Sequence, residues 1–162
     1  MAIRAGNRRD GRRQLLLQIL EEAYWKKTWH GPNLRQSLRG VSARDAVWRP
    51  AAGRHNIWEE ALHAAYWKYA VRRRMRGGKR GSFALKGSNW FRSPESASEG
   101  AWRRDRELLE REHHNLLEAV AGLGDEKSLR KFTPMIYGVA FHDIYHAGQI
   151  RLLRRLRDRA RT

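Results

Sequence analysis

His142 and His146 stand four residues apart in FHDIYHAGQIRLLRRL, residues 141–156, a segment that reads as helix. On a helix, positions i and i+4 are surface neighbours about 5–6 Å apart. Two imidazoles there can share one metal ion, or they can pack side by side. The pair lies on a stripe that also carries Val139 and Leu153, which turns it inward. A buried histidine needs partners for both ring nitrogens, and two together need them twice over. Metal ligation supplies them, but a lone pair at this spacing is a weak motif and core packing stands beside it.

A third imidazole changes the balance. His63, in WEEALHAAYWKY, sits mid-helix among apolar residues and is the first candidate. His113, on a core stripe between Leu109 and Leu116, is the second. His114 is rotated about 100° from it and reads as exposed. His30 and His55 fall at helix ends and read as surface or capping residues. Glu59, one turn before His63, reads as part of the helix cap with Asn56; partnership with His63 is the other possibility.

Three neutral imidazoles without a fourth protein ligand make an open site, the arrangement used for catalysis rather than structure. Water or a thiol takes the free position, and the metal lowers its pKa, to around 7 for water on zinc. Imidazole suits zinc, nickel, iron and copper alike, so the ligands do not name the ion. The sequence has no cysteine, hence no thiolate ligand, disulfide or nucleophilic thiol of its own.

Four helices must position these residues, and their punctuation predicts them near 10–29, 56–76, 97–121 and 134–158. His30-Gly31-Pro32 closes the first. SARD, residues 42–45, resembles a capping box opening one or two turns. Asn56 caps the second helix, with Glu59 placed to cap back, and Gly77-Gly78 ends it. Residues 77–96, rich in Gly and Ser, show no sustained period and read as a long crossover loop. Such a connection lets consecutive helices run parallel. The third helix starts near Ser93-Pro94 or Ser96, and Thr133-Pro134 opens the fourth. No strand-like alternation persists. The expected fold is all-α: a four-helix bundle, one domain over 1–162, with flexible basic tails at 1–9 and 159–162.

Composition limits the function. Arginine and lysine number 34 against 17 acidic residues, a net charge of +17. That field attracts nucleic acid, acidic membranes or anionic small molecules without specifying a fold. The basic runs are dispersed, and several fall at helix C-termini, where the dipole favours cations. A solvated basic surface is therefore preferred to a dedicated nucleic-acid groove. No window is apolar enough for a transmembrane helix, and no signal-type core follows the basic start, so the cytoplasm is the expected location. Seven Trp and five Tyr are many for a core of this size. A partly exposed aromatic patch, and with it a homodimer, is expected.

HNIWEEALHAAYWKY (55–69) and FHDIYHAGQIRLLRRL (141–156) resemble the two motif regions of the DinB-like superfamily of small bacterial metal-binding helical bundles. TWHGPNLRQSLRGVSARDAVWRP resembles its lead-in and SNWFRSPESASEGAWRRDRELLE its entry to the third helix, so the likeness runs along nearly the whole chain. It implies a divalent metal held by one histidine of the second helix and two of the fourth, here His63, His142 and His146. It also implies a crossover bundle, often dimeric, with a pocket over the metal. Relatives include mycothiol-dependent maleylpyruvate isomerase and bacillithiol S-transferases.

The leading reading is a metal-dependent enzyme acting on a small molecule, by transfer of a low-molecular-weight thiol or by hydrolysis. Its catalytic and cofactor-binding residues beyond the metal ligands are unassigned. The alternative is a basic helical protein that binds nucleic acid, its histidines structural; no recognition signature for nucleic acid is present.

Overall fold

The computed structural model describes residues 2–161, with side chains from Gly11 onward. The described residues are helical and contain no strand. In chain order the elements are α1 (Ala2–Tyr24), α2 (Leu34–Leu38), α3 (Ala43–Ala46), α4 (Ile57–Arg76), α5 (Glu99–Ala121) and α6 (Glu126–Arg159). The basic ends expected to be loose, 1–9 and 159–162, fall partly outside the described residues.

Side-chain caps set most boundaries. Asn56 Oδ1 accepts from the Glu59 N–H at 2.9 Å and starts α4. Gly77, in the left-handed region at φ 66°, ends it. Ser98 rather than Ser93 or Ser96 caps α5. Ser42 caps α3 as the SARD motif predicts. The full reciprocal capping box lies elsewhere, between Asn33 and Gln36 at the start of α2. α1 ends at Tyr24, more than a turn before the His30-Gly31-Pro32 stop.

The largest departure is the start of α6. Asp125 caps it by accepting from the Ser128 N–H at 2.7 Å, and Pro134 lies inside the helix. A proline there forfeits a backbone bond and costs about 3 kcal/mol. The turns ahead of it bury Leu129 completely, in the core cluster that also holds Leu16, Leu20 and Leu116. Full burial of a leucine stabilises by about 1.5–3 kcal/mol, and the Asp125 cap adds about 1 kcal/mol. Thr133 is no cap; its hydroxyl donates back to the Leu129 carbonyl at 2.7 Å.

The four long helices make a closed ring of contacts: α4 packs on α5 and α6, and α1 packs on α6 and α5. The core around Trp58, Leu62, Trp102, Leu109 and Ile150 joins α4, α5 and α6. A chain of polar and aromatic side chains also links the four long helices through the interior. Lys68 of α4 and Asp143 of α6 form an ion pair with both side chains 0% exposed. The Lys68 Nζ lies 5.0 Å from the Tyr24 ring of α1, and Tyr24 stacks on His113 of α5 at 4.2 Å. Burial pulls the Lys68 amine down and pushes the Asp143 carboxyl up, while their mutual attraction opposes both shifts. Among the described residues, no helix is long and apolar enough to cross a membrane.

Candidate metal centre

The seam between α4 and α6 brings His63, His142 and His146 together. Two turns of α6 present His142 and His146 from one side, and the middle of α4 presents His63 from the other. His142 Nε2 lies 3.1 Å from His63 Nε2 and 3.0 Å from His146 Nε2. His63 is 6% and His146 2% exposed, and His142 is half-buried. Three histidines this close together could hold one metal ion.

The opposite ring edges explain why the Nε2 atoms converge. A carbonyl oxygen only accepts, so His63 Nδ1 carries the hydrogen it donates to Asn89 O at 2.8 Å. His146 Nδ1 is tied in the same way to the buried carboxylate of Glu60. With Nδ1 protonated in neutral imidazole, each Nε2 keeps its lone pair, and both lone pairs face the centre. Such outer partners are how ligand histidines are oriented. His142 departs from the pattern, since its Nδ1 is buried without a partner. Burial first, then the neighbouring His146 and His63, push the His142 imidazole down to about 3. Burial likewise lowers His63. Neutral rings are the form that binds metal, and His142 Nε2, facing the lone pairs of the other two rings, either donates a hydrogen to them or joins them in holding a cation. The donor set therefore fits a divalent ion.

The loop after α4 completes the site. Asn89 adopts φ 65°, the left-handed region, and its side chain accepts from Trp67 Nε1 at 3.1 Å. The Trp90 ring is sandwiched, 3.8 Å from His63 and 3.6 Å from His55. This loop is anchored further by Ser93, whose hydroxyl accepts from Asn56 Nδ2 at 2.9 Å. Its glycines and serines signal irregular backbone, yet it is fixed to the site by named contacts.

The other sequence candidates lie apart from this centre. His113 is buried in the Tyr24 stack, with both ring nitrogens unpartnered and its pKa driven down by burial. It lies outside the histidine cluster. His30, His55 and His114 are exposed. Glu59 does not partner His63, and its carboxylate does not cap back. Arg49 donates to it at 2.8 Å, and His55 and the Ser93 N–H also face it. Burial works to raise this carboxyl, but Arg49 and the other donors hold it down at about 2. Glu60, Asn89 and Trp90 are the site residues that sequence reasoning missed. Glu60 was legible only as the neighbour of Glu59; a two-residue choice on one helix turn hinges on which way α4 faces.

Beside His63 and His142 opens a cavity of about 400 Å³, walled by Trp67, Val71, Met135 and Val139, with Arg74 as its one charged lining residue. It offers an apolar body-binding surface next to the imidazoles, and a single cation.

The sequence model of the DinB superfamily matches residues 24–150, a span that includes every residue of the site. No curated protein and no solved structure matches the chain.

Proposed function

The chain belongs to the DinB superfamily, and we propose that it is a metal-dependent enzyme whose His63, His142 and His146 hold one divalent ion. The four long helices are then that superfamily's four-helix bundle, with residues 77–98 as the crossover connection. The observation that carries the reading is the convergence of three Nε2 atoms whose Nδ1 atoms, on His63 and His146, are tied outward to Asn89 and Glu60.

A zinc, nickel or iron ion held there would supply the Lewis acidity that makes a water or a low-molecular-weight thiol nucleophilic at neutral pH. The protein's part is positioning. Asn89 O and the Glu60 carboxylate fix two imidazoles in one tautomer and one orientation. The cavity lined by Trp67, Val71, Met135 and Val139 takes the apolar body of a small substrate and displaces water from it. Arg74 faces a carboxylate or other anionic group on that substrate. Thiol transfer and hydrolysis are the two reactions this arrangement serves, differing in which nucleophile is admitted.

The test is metal content by elemental analysis of untagged protein, wild type against His63→Ala, His142→Ala and His146→Ala. One divalent ion per chain is expected in the wild type, and loss in each variant. Glu60→Ala should weaken the metal about 10–100-fold while leaving the three ligands in place. Wild-type stoichiometry in all three histidine variants, or a wild type that takes up no divalent ion, refutes the assignment.

A further inference from the structure

A second cavity, of about 580 Å³, lies between the C-terminal end of α1, α2 and α5. In the ring of long helices the α1–α5 seam is across from the α4–α6 seam that holds the histidines. The two cavities share no lining residue. The back wall is apolar and aromatic: Tyr24, Trp25, Leu38 and Leu109, with Tyr24, Leu38 and Leu109 buried. Behind it His113 stacks on Tyr24 at 4.2 Å and meets Trp25 edge-on at 4.6 Å, which holds both rings in place.

Four guanidinium groups surround that wall, from Arg35, Arg39, Arg103 and Arg106. Two carboxylates share the lining. Glu110 stands 3.5 Å from Arg35 and Glu107 stands 3.9 Å from Arg103. Among the described residues, Arg39 and Arg106 have no carboxylate partner. Arg106 lies over the Trp102 ring at 5.4 Å, and its Nε is buried with no hydrogen-bond partner. The four arginines line one concavity with an apolar back wall, which focuses their field on whatever enters.

We propose that this cavity is a binding site for a small organic anion, a carboxylate or phosphate carried on an aromatic or apolar body. The body lies on Tyr24, Trp25 and Leu38. The anionic oxygens accept from the guanidinium groups of Arg39 and Arg106, the planar fork suiting either head group. Burial keeps the Tyr24 hydroxyl protonated, as a donor rather than a competing anion. The site does not depend on the metal.

Phenyl phosphate and phenylacetate are the two anionic probes, with benzyl alcohol as the uncharged control. Binding is followed by NMR on the indole N–H of Trp25, identified by its loss in Trp25→Phe. Saturable binding of at least one anion, one per chain, is expected, and the stronger of the two names the head group. Arg106→Gln and Arg39→Gln should each weaken it about tenfold or more, the worth of one charge-assisted hydrogen bond. The Arg39 variant, on an exposed side chain, keeps the comparison sound should Arg106→Gln fold poorly. Arg104→Gln, on α5 but outside the cavity, and His142→Ala should bind as wild type does. The proposal is overturned if benzyl alcohol binds as tightly as the anions or neither anion saturates. Equal losses in Arg104→Gln and Arg39→Gln, or loss in His142→Ala, overturn it too.

Discussion

His63 Nδ1 donates across 2.8 Å to the backbone carbonyl of Asn89, a residue held at φ 65°. One hydrogen bond thus joins a candidate metal ligand on α4 to the left-handed turn of a loop 26 positions later in the chain. Asparagine is among the few residues that tolerate this backbone region, and β-branched residues are strongly disfavoured there.

That linkage predicts a split between two substitutions at position 89. Asn89→Gly keeps the turn and its carbonyl, and metal affinity should stay close to wild type. Asn89→Val should move the carbonyl away from His63 and weaken the metal about 10–100-fold, as loss of an outer partner does. Competitive titration against a chromophoric chelator measures both. Equal affinities in the two variants would mean that Asn89 O does not orient His63.

Acid should destabilise the metal-free protein through the same histidines. Their folded pKa values are depressed, His142 to about 3 and His63 in the same direction, in both cases by burial first. Unfolded histidine titrates near 6.5. Above that pH neither state takes up the proton and the contribution to stability is intact. As pH falls from about 6.5 toward 3, the unfolded chain binds protons that the folded site refuses, so stability falls. Thermal melts of chelator-treated protein across this window should show the decline. His142→Ala should flatten it, and an unchanged slope in that variant counts against the depressed pKa.

The Lys68–Asp143 pair gives a prediction about stability alone. Lys68→Met leaves a buried carboxylate without its cation, and Asp143→Leu strands an ammonium; each should cost about 3–5 kcal/mol. The double variant removes both charges and should recover most of that loss. Urea denaturation of the four proteins completes the cycle. Additive losses in the double variant would show that the two side chains act independently.

An exposed stripe on α6 carries the expectation of a dimer. Tyr137, Phe141 and Tyr145 follow at four-residue steps and are 38%, 62% and 61% exposed, with Leu152 at 50% further along. A contiguous aromatic patch of this kind marks an interaction surface, and we propose that a second copy covers it. Sedimentation velocity should find a dimer in the wild type and a monomer in Phe141→Glu. A wild type that stays monomeric at high concentration removes the proposal.

Much of the site was readable because helices impose short-range rules. The four-residue spacing of His142 and His146 places both on one face of any helix. The apolar neighbours of His63 turn it inward, and the likeness of both segments to one superfamily joined them before any contact was known. Asn56 and Ser42 fixed helix starts through a hydrogen bond three residues long, the range at which sequence speaks most directly. The same local logic erred at Thr133-Pro134. A proline suited to a first turn is also tolerated, at a cost, inside a helix whose earlier turns bury enough, and the burial of Leu129 depends on α1 and α5.

What only the tertiary structure decided are the relations between segments far apart in the chain. Glu60 rather than Glu59 reaches His146 because α4 packs with that edge toward α6; Glu59 faces Arg49 and His55 instead. Asn89 and Trp90 belong to a stretch whose sequence carries no period, so no pattern could say that it folds back on His63. His113 carried the same apolar signal as His63, yet α5 turns it toward Tyr24, away from the α4–α6 seam. The sequence determined which residues could bind a metal and which helix faces they occupy. The packing of those faces determined which imidazoles meet, because hydrophobic burial is non-directional and the identity of a contact is settled only when all four helices are in place.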